Sequence, residues 1–257
     1  MIAELFSHGV DQTVLLTVLI FIVAVLYSSV GHAGATAYLA VMALVGVAPE
    51  VMKPSALILN IFVATIGTVR FYRAGCFSWQ LFLPLAIGSV PFAFIGGAWS
   101  LPGSLYNKIV GAILLMAAAR LFLPQRATDE ASVGPPPRKV WLLLAPVCGA
   151  LIGFLAGLTG TGGGVFLTPL LLIAGWADPR RAAGVSVVFI LVNSIAGLAG
   201  HLFRFDSLPA PLAYWLIAAI LGGTIGSGLG SKRLGNTTIR RLLSVVILIA
   251  GLKLLLT

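Results

Sequence analysis

This sequence predicts an all-α integral membrane fold, built as two inverted-topology repeats of about five helical segments each. Three observations predict it: an apolar composition, apolar runs long enough to cross a bilayer, and a pair of short, glycine-interrupted segments that recurs in the two halves. Hydrophobic residues make up 59% of the chain and charged residues only 9%, with mean hydropathy +1.08. A globular domain carries about 25% charged residues, so a chain this poor in charge lacks the polar surface that water requires. Runs of roughly 20 apolar residues recur along its length, the span of a bilayer core.

The elements follow in order. The first half holds apolar segments at Thr13–Ser29, Ala35–Val47, Met52–Tyr72, Trp79–Trp99 and Leu105–Leu123. The second half holds them at Val140–Gly157, Val165–Gly175, Ala182–Phe203, Ala210–Gly230 and Thr238–Leu256. The residues before the first run carry Glu4 and Asp11 and no Lys or Arg. A signal peptide needs a positive n-region, so this run reads as a retained span. Residues 125–139 form the one linker-like stretch, with Asp129, Glu130 and the run Pro135–Pro136–Pro137. They divide the chain into a first membrane repeat, 1–124, and a second, 140–257.

Ala35–Val47 and Val165–Gly175 are too short to cross a ~30 Å core at 1.5 Å per residue. Each is the second segment of its half, and each follows a glycine-rich break. Paired short segments of this kind mark the binding site of secondary transporters, as broken or re-entrant helices.

The net charge of +9 would suggest nucleic acid in a soluble protein, but here the positive-inside rule accounts for it. Threading the ten segments back and forth places Lys53, Lys108, Arg204 and Lys253 on one side and the remaining twelve of the 16 Lys and Arg, Arg120 among them, on the other. The richer side is the cytoplasmic one. Both termini then face out, in a multi-pass protein of the inner membrane. An odd number of segments per half also inserts the two halves upside down relative to each other.

The halves match in sequence as well. Ser29–Val–Gly–His–Ala–Gly34 lies over Leu158–Thr–Gly–Thr–Gly–Gly163, and Pro54–Ser–Ala–Leu57 over Val185–Ser–Val–Val188. Gly88 and Gly96 find counterparts in Gly222 and Gly230.

The second break reads Gly157–Leu–Thr–Gly–Thr–Gly–Gly–Gly164. No Lys follows the glycines, and Val165 stands where a dinucleotide fingerprint needs its last Gly, so both nucleotide-binding readings fall. What remains is a turn that opens into a short helix. A helix start offers unpaired N–H groups and a partial positive charge, and glycine lets an anion approach the backbone. Gly160, Gly162, Gly163 and Gly164 are the candidate cradle, with Thr159 and Thr161 as hydroxyl donors. The first break offers the same from the opposite side, through Gly31, Gly34 and Thr36, with His32 as a donor or proton carrier. Ser55 and Asn60 in the third segment, and Ser186 and Asn193 in its counterpart, serve either substrate contact or interhelical hydrogen bonding. The sets Gly149, Gly153, Gly157 and Gly222, Gly226, Gly230 have the small-xxx-small spacing of close helix packing. Lys53 flanks a span, where it snorkels or gates entry.

All seven carboxylates lie in termini, loops or span edges. A cation carrier or carboxylate proton relay uses an intramembrane Asp or Glu, so the cargo expected is an anion. Cys76 and Cys148 form no C-x-x-C pair, and no metal-ligand cluster accompanies them. No cofactor, metal site or catalytic constellation is expected, and the protein does not read as an enzyme. The expected partners are a small anionic substrate and the lipid bilayer, with no nucleic acid and with a homo-oligomer left open.

Tyr27–Ser–Ser–Val–Gly–His–Ala–Gly34 with Lys53–Pro–Ser–Ala56 resembles the first repeat of the TauE/SafE sulfite-exporter family. Gly153–Phe–Leu–Ala–Gly–Leu–Thr–Gly–Thr–Gly–Gly–Gly164 with Gly184–Val–Ser186 resembles its second. The resemblance covers essentially the whole chain. It implies movement of a small sulfur-containing anion, sulfite or a related sulfonate or thiosulfate, with export the expected direction. A small-anion channel on the same scaffold is the alternative.

Overall fold

The computed structural model describes residues 9–29, 33–122, 138–201, 209–230 and 237–256. These residues form ten helices and no strand. They are α1 (Gly9–Ser29), α2 (Ala35–Val45), α3 (Pro49–Arg73), α4 (Trp79–Ala98), α5 (Gly103–Phe122), α6 (Arg138–Thr159), α7 (Gly164–Ile173), α8 (Pro179–His201), α9 (Leu212–Gly230) and α10 (Thr237–Leu256). Every expected apolar segment is a helix. The α3 and α8 helices each begin three residues earlier than the apolar pattern suggests, at Pro49 and Pro179. Proline suits a first helical position, because its missing N–H would have no intrahelical acceptor there. Asp178 caps α8: its Oδ1 accepts from the Arg180 and Arg181 amides at 2.9 and 3.0 Å. Arg138 and Lys139, expected in the linker, open α6.

By length and composition α3, α4, α5, α6 and α8 can each cross a bilayer, and α1, α9 and α10 contain further apolar stretches. The α2 and α7 helices have only 11 and 10 residues, about 15 Å of rise each. Apolar side chains turn outward along the bundle: Ile87 is 63% exposed, Leu143 73% and Leu151 66%. In water such a surface would aggregate; against acyl chains it is at home.

The helices pack across the halves rather than within them. The α4 helix lies along α6 and α8, α1 along α9, α5 along α10, and α3 crosses α8 and α9. Side chains of α1, α2, α3, α5, α9 and α10 share one core around Ile20, Tyr38, Leu59, Leu114, Ala219 and Ile247. A second core joins α4, α6, α7 and α8 around Leu85, Ala145, Leu167 and Phe189. Glycines bring the backbones together. A Cβ on Gly149, Gly153 or Gly157 would stand 2.1, 2.2 or 2.0 Å from the carbonyl oxygen of Leu85, Ser89 or Ala93. On α9, a Cβ at Gly222 or Gly226 would meet the Phe21 or Val25 carbonyl oxygen of α1 at 2.6 or 2.1 Å. These two glycine rows are packing faces.

Lys53 departs from its expected place at the surface. It is buried, and its ammonium donates to the carbonyl oxygens of Gly96, Gly97 and Trp99 at 3.2, 2.8 and 3.1 Å. These groups close the C-terminal end of α4, where carbonyls lack intrahelical donors and the helix dipole is negative. The three bonds offset the cost of taking an ammonium out of water. Lys253 does the same for α2, donating to the Ala43 and Leu44 carbonyls at 2.9 Å each.

Candidate functional site

The two short helices start alike. The residue before α2 is Gly34, at φ 97°, and the residue before α7 is Gly163, at φ 86°. Both lie in the left-handed region that glycine adopts without penalty. Neither helix start has a side-chain cap; at α7 the Phe166 amide turns back to the Gly163 carbonyl at 3.1 Å, which leaves the earliest amides of each start for a ligand.

Both starts line one cavity of about 40 Å³. Gly34, Ala35 and Thr36 of the first break meet Thr161, Val165 and Thr168 of the second there. The cavity reaches Ile190, halfway along α8. Its other end lies where α1 and α5 finish and α10 begins, among Tyr27, Arg120 and Leu243. The volume exceeds the roughly 10–15 Å³ that a single water needs.

Hydroxyls line this space. Tyr27 and Thr36 share a hydrogen bond of 2.5 Å between their side-chain oxygens, tying α1 to the start of α2. Thr159 and Thr161 share one of 3.1 Å, and Thr159 also donates to the Leu155 carbonyl at 2.6 Å. Thr168 donates to Ser186 at 2.8 Å, tying α7 to α8. Thr168 thus gives its hydrogen to Ser186, and Thr161, because Thr159 already donates to Leu155, gives its own to Thr159.

The structure brings together only part of the expected set on this cavity. Gly34, Thr36 and Thr161 line it directly. Ser186 stands behind it, bonded to Thr168. Gly160, at φ 83°, packs against the Lys53 backbone, and Tyr106 donates to the Thr159 carbonyl at 3.0 Å. Gly162 faces Asn60 and Ser194: a Cβ there would stand 3.3 Å from the Asn60 amide nitrogen and 3.0 Å from the Ser194 hydroxyl. Gly163 packs on Phe189 and Ile152, and Gly164 on Ile190. Asn60, Asn193 and Ser55 are fully buried, and their side-chain polar atoms have no hydrogen-bond partner among the described residues. Gly31 and His32 lie outside the described residues.

Three polar lining residues, Tyr27, Thr168 and Arg120, escaped the sequence reading. Thr168 sits in an apolar run beside Pro169, and nothing in its surroundings marks it. Arg120 sits in the last turn of α5, where a basic residue satisfies the positive-inside pattern and draws no further notice.

No solved structure matches this chain. Curated relatives match over most of its length. A probable membrane transporter protein of Sinorhizobium fredii is 40% identical over 240 residues, covering 93% of this chain and 97% of that protein. A probable membrane transporter protein of Methanocaldococcus jannaschii is 26% identical, covering 77% of each chain. One of Bacillus subtilis is 23% identical, covering 81% of this chain and 82% of its own. The family model described as sulfite exporter TauE/SafE matches residues 16–254. With ten apolar helices, two uncapped short ones among them, and a family match from α1 to α10, this multi-pass membrane protein belongs to the sulfite exporter TauE/SafE family.

Proposed function

We propose that the protein is a secondary transporter that moves a small sulfur-containing anion, sulfite or a related sulfonate or thiosulfate, across the inner membrane, in the direction of export. The observation that carries this reading is the meeting of two uncapped helix starts, that of α2 at Gly34 and that of α7 through Thr161 and Val165, on one hydroxyl-lined cavity. Each start contributes about half a positive charge and open N–H donors. An oxyanion exchanges its water for these groups at little cost, and among the described residues the lining includes no carboxylate to repel it.

Two repeats of opposite orientation, 1–124 and 140–257, support the carrier reading. The packing of α4 on α6 and α8 recurs as that of α9 on α1 and α3, each helix being replaced by the one five places away in the other half. Glycines make the close approach in both pairs. Two related halves around a shared site give a carrier its two access states. With the Arg-rich side inside, α1 begins and α10 ends outside, and the cavity lies toward the cytoplasm.

Uptake of labelled sulfite into proteoliposomes tests this, with thiosulfate, methanesulfonate, sulfate and chloride as competitors. Saturable uptake blocked by a sulfur anion is the expected result. Non-saturating conductance without counter-transport would mean a small-anion channel instead. No uptake of any sulfur anion into sealed vesicles would remove the substrate reading.

A further inference from the structure

Arg120 is a cation inside the candidate site. It lies half-buried in the last turn of α5 and lines the cavity with Thr36, Thr161 and Thr168. Among the described residues no acidic side chain lines the cavity with it, and its side chain makes no hydrogen bond or ion pair. A guanidinium stays protonated at any physiological pH and presents five N–H donors in a planar fork. That fork fits two oxygens of one anion at once, a geometry that neither a lysine nor a spherical ion can share. An arginine that merely marked the cytoplasmic side would point to lipid headgroups or water, as exposed Arg241 does.

We propose that Arg120 is the specificity-determining residue of the site, binding two oxygens of the transported oxyanion and favouring oxyanions over halides. The inference rests on the anion reading above and adds to it the residue that recognises the anion's shape. The helix starts supply positive potential to any anion. The fork supplies the preference for a planar pair of oxygens. Charge and shape therefore separate in two substitutions: Arg120→Gln removes both, whereas Arg120→Lys keeps the charge and loses the fork.

The test uses the full chain, purified in detergent, with thermal stabilisation by sulfite, thiosulfate and chloride as the readout of binding. Wild type, Arg120→Gln, Arg120→Lys and Arg241→Gln are compared, each first shown to be folded by its unliganded melting curve and size-exclusion profile. Wild type should bind an oxyanion more tightly than chloride. Arg120→Gln should weaken oxyanion binding about tenfold or more, the range for a charge-assisted bond. Arg120→Lys should bind both kinds of anion with most of the oxyanion preference gone, and Arg241→Gln should match wild type. Unchanged oxyanion preference in both Arg120 variants overturns this inference and leaves the anion reading intact. Equal losses in Arg120→Gln and Arg241→Gln overturn it too, because the arginine would then act only as one more charge on that side. If wild type binds no anion at all, the anion reading itself fails, and this inference with it.

Discussion

Thr168 on α7 donates a 2.8 Å hydrogen bond to Ser186 on α8. Both are buried, at 5% and 1% exposure, and Thr168 also faces the cavity. The bond therefore fixes the short helix against a long one at the point where a ligand would sit. Ser186→Ala removes the acceptor and leaves the packing almost unchanged. Hydrogen bonds between membrane helices average about 0.6 kcal/mol, so thermal unfolding in detergent should show only a small drop in midpoint. Substrate affinity should fall further than stability does, because Thr168 then loses the bond that orients its hydroxyl at the cavity. An affinity that tracks the small stability loss would make the pair a packing contact only.

Gly157 and Ala93 meet in a tight part of the α4–α6 interface. A Cβ on Gly157 would stand 2.0 Å from the Ala93 carbonyl oxygen and 2.8 Å from the Gly97 nitrogen. Backbone atoms have no rotamer into which to retreat, so Gly157→Ala forces the helices apart. Overpacking of this kind costs about 1–3 kcal/mol, and the break at 160–163 begins just beyond. We expect a clearly lowered melting midpoint and reduced transport. Gly103→Ala is the comparison: its nearest neighbours would be Pro49 and Glu50 at 3.8 and 3.9 Å, ordinary contact distances, and it should be close to neutral. Two neutral substitutions would refute the close-packing account.

Much of this was legible in the chain itself, and the reason is periodic. In lipid every long apolar run must be helical to satisfy its own backbone, so run length alone gave all ten helices. The shortness of α2 and α7 showed too, since each short apolar run follows a glycine-containing break, and glycine is a poor helix former; glycine pairs alone were no guide, because Gly96–Gly97 and Gly222–Gly223 run on inside α4 and α9. What did not show is what depends on one helix lying against another. Arg120 joins Thr36 and Thr161 only because α5 passes beside both breaks, and its position near a span end already had a sufficient explanation. Ser186 read as either a substrate contact or an interhelical hydrogen-bonding group, and its partner Thr168, 18 residues away on another helix, could not be named from the chain. Lys53 looked like a surface residue because its three acceptors lie more than 40 positions along the chain, at the far end of α4.

That arrangement makes Lys53 a structural cation. Its ammonium serves three carbonyls at the end of α4, whereas Lys253 serves two at the end of α2. Lys53→Met keeps the aliphatic stem and removes every donor. The carbonyls it leaves are buried next to apolar surface, and losing bonds to a charged group costs about 1.5–3 kcal/mol. Thermal unfolding should show Lys53→Met as the more damaging of the two Lys→Met substitutions, with Lys253→Met milder because its site is only partly buried. A Lys53→Met protein as stable as wild type would restore the snorkelling picture.

Gly162 and Gly75 offer a matched pair that separates backbone strain from site chemistry. Their φ angles are 69° and 70°, so alanine at either position carries the same left-handed penalty, about 1–2 kcal/mol. Their surroundings differ. Nothing lies within 4 Å of a Cβ built on Gly75, whereas one on Gly162 would meet Ile190 at 2.8 Å, Ser194 at 3.0 Å and Asn60 at 3.3 Å. Asn60 and Ser194 are buried polar groups with no partner among the described residues, in a segment whose neighbours line the cavity. A methyl group thrust between them crowds the break and blocks whatever those polar atoms would bind. Gly75→Ala should lose some stability and keep its transport rate per folded molecule. Gly162→Ala should lose at least as much stability and also most of its transport. Uptake normalised to the folded fraction decides between them. Equal specific rates in the two variants would mean that the 160–163 break shapes the fold without touching the transported anion.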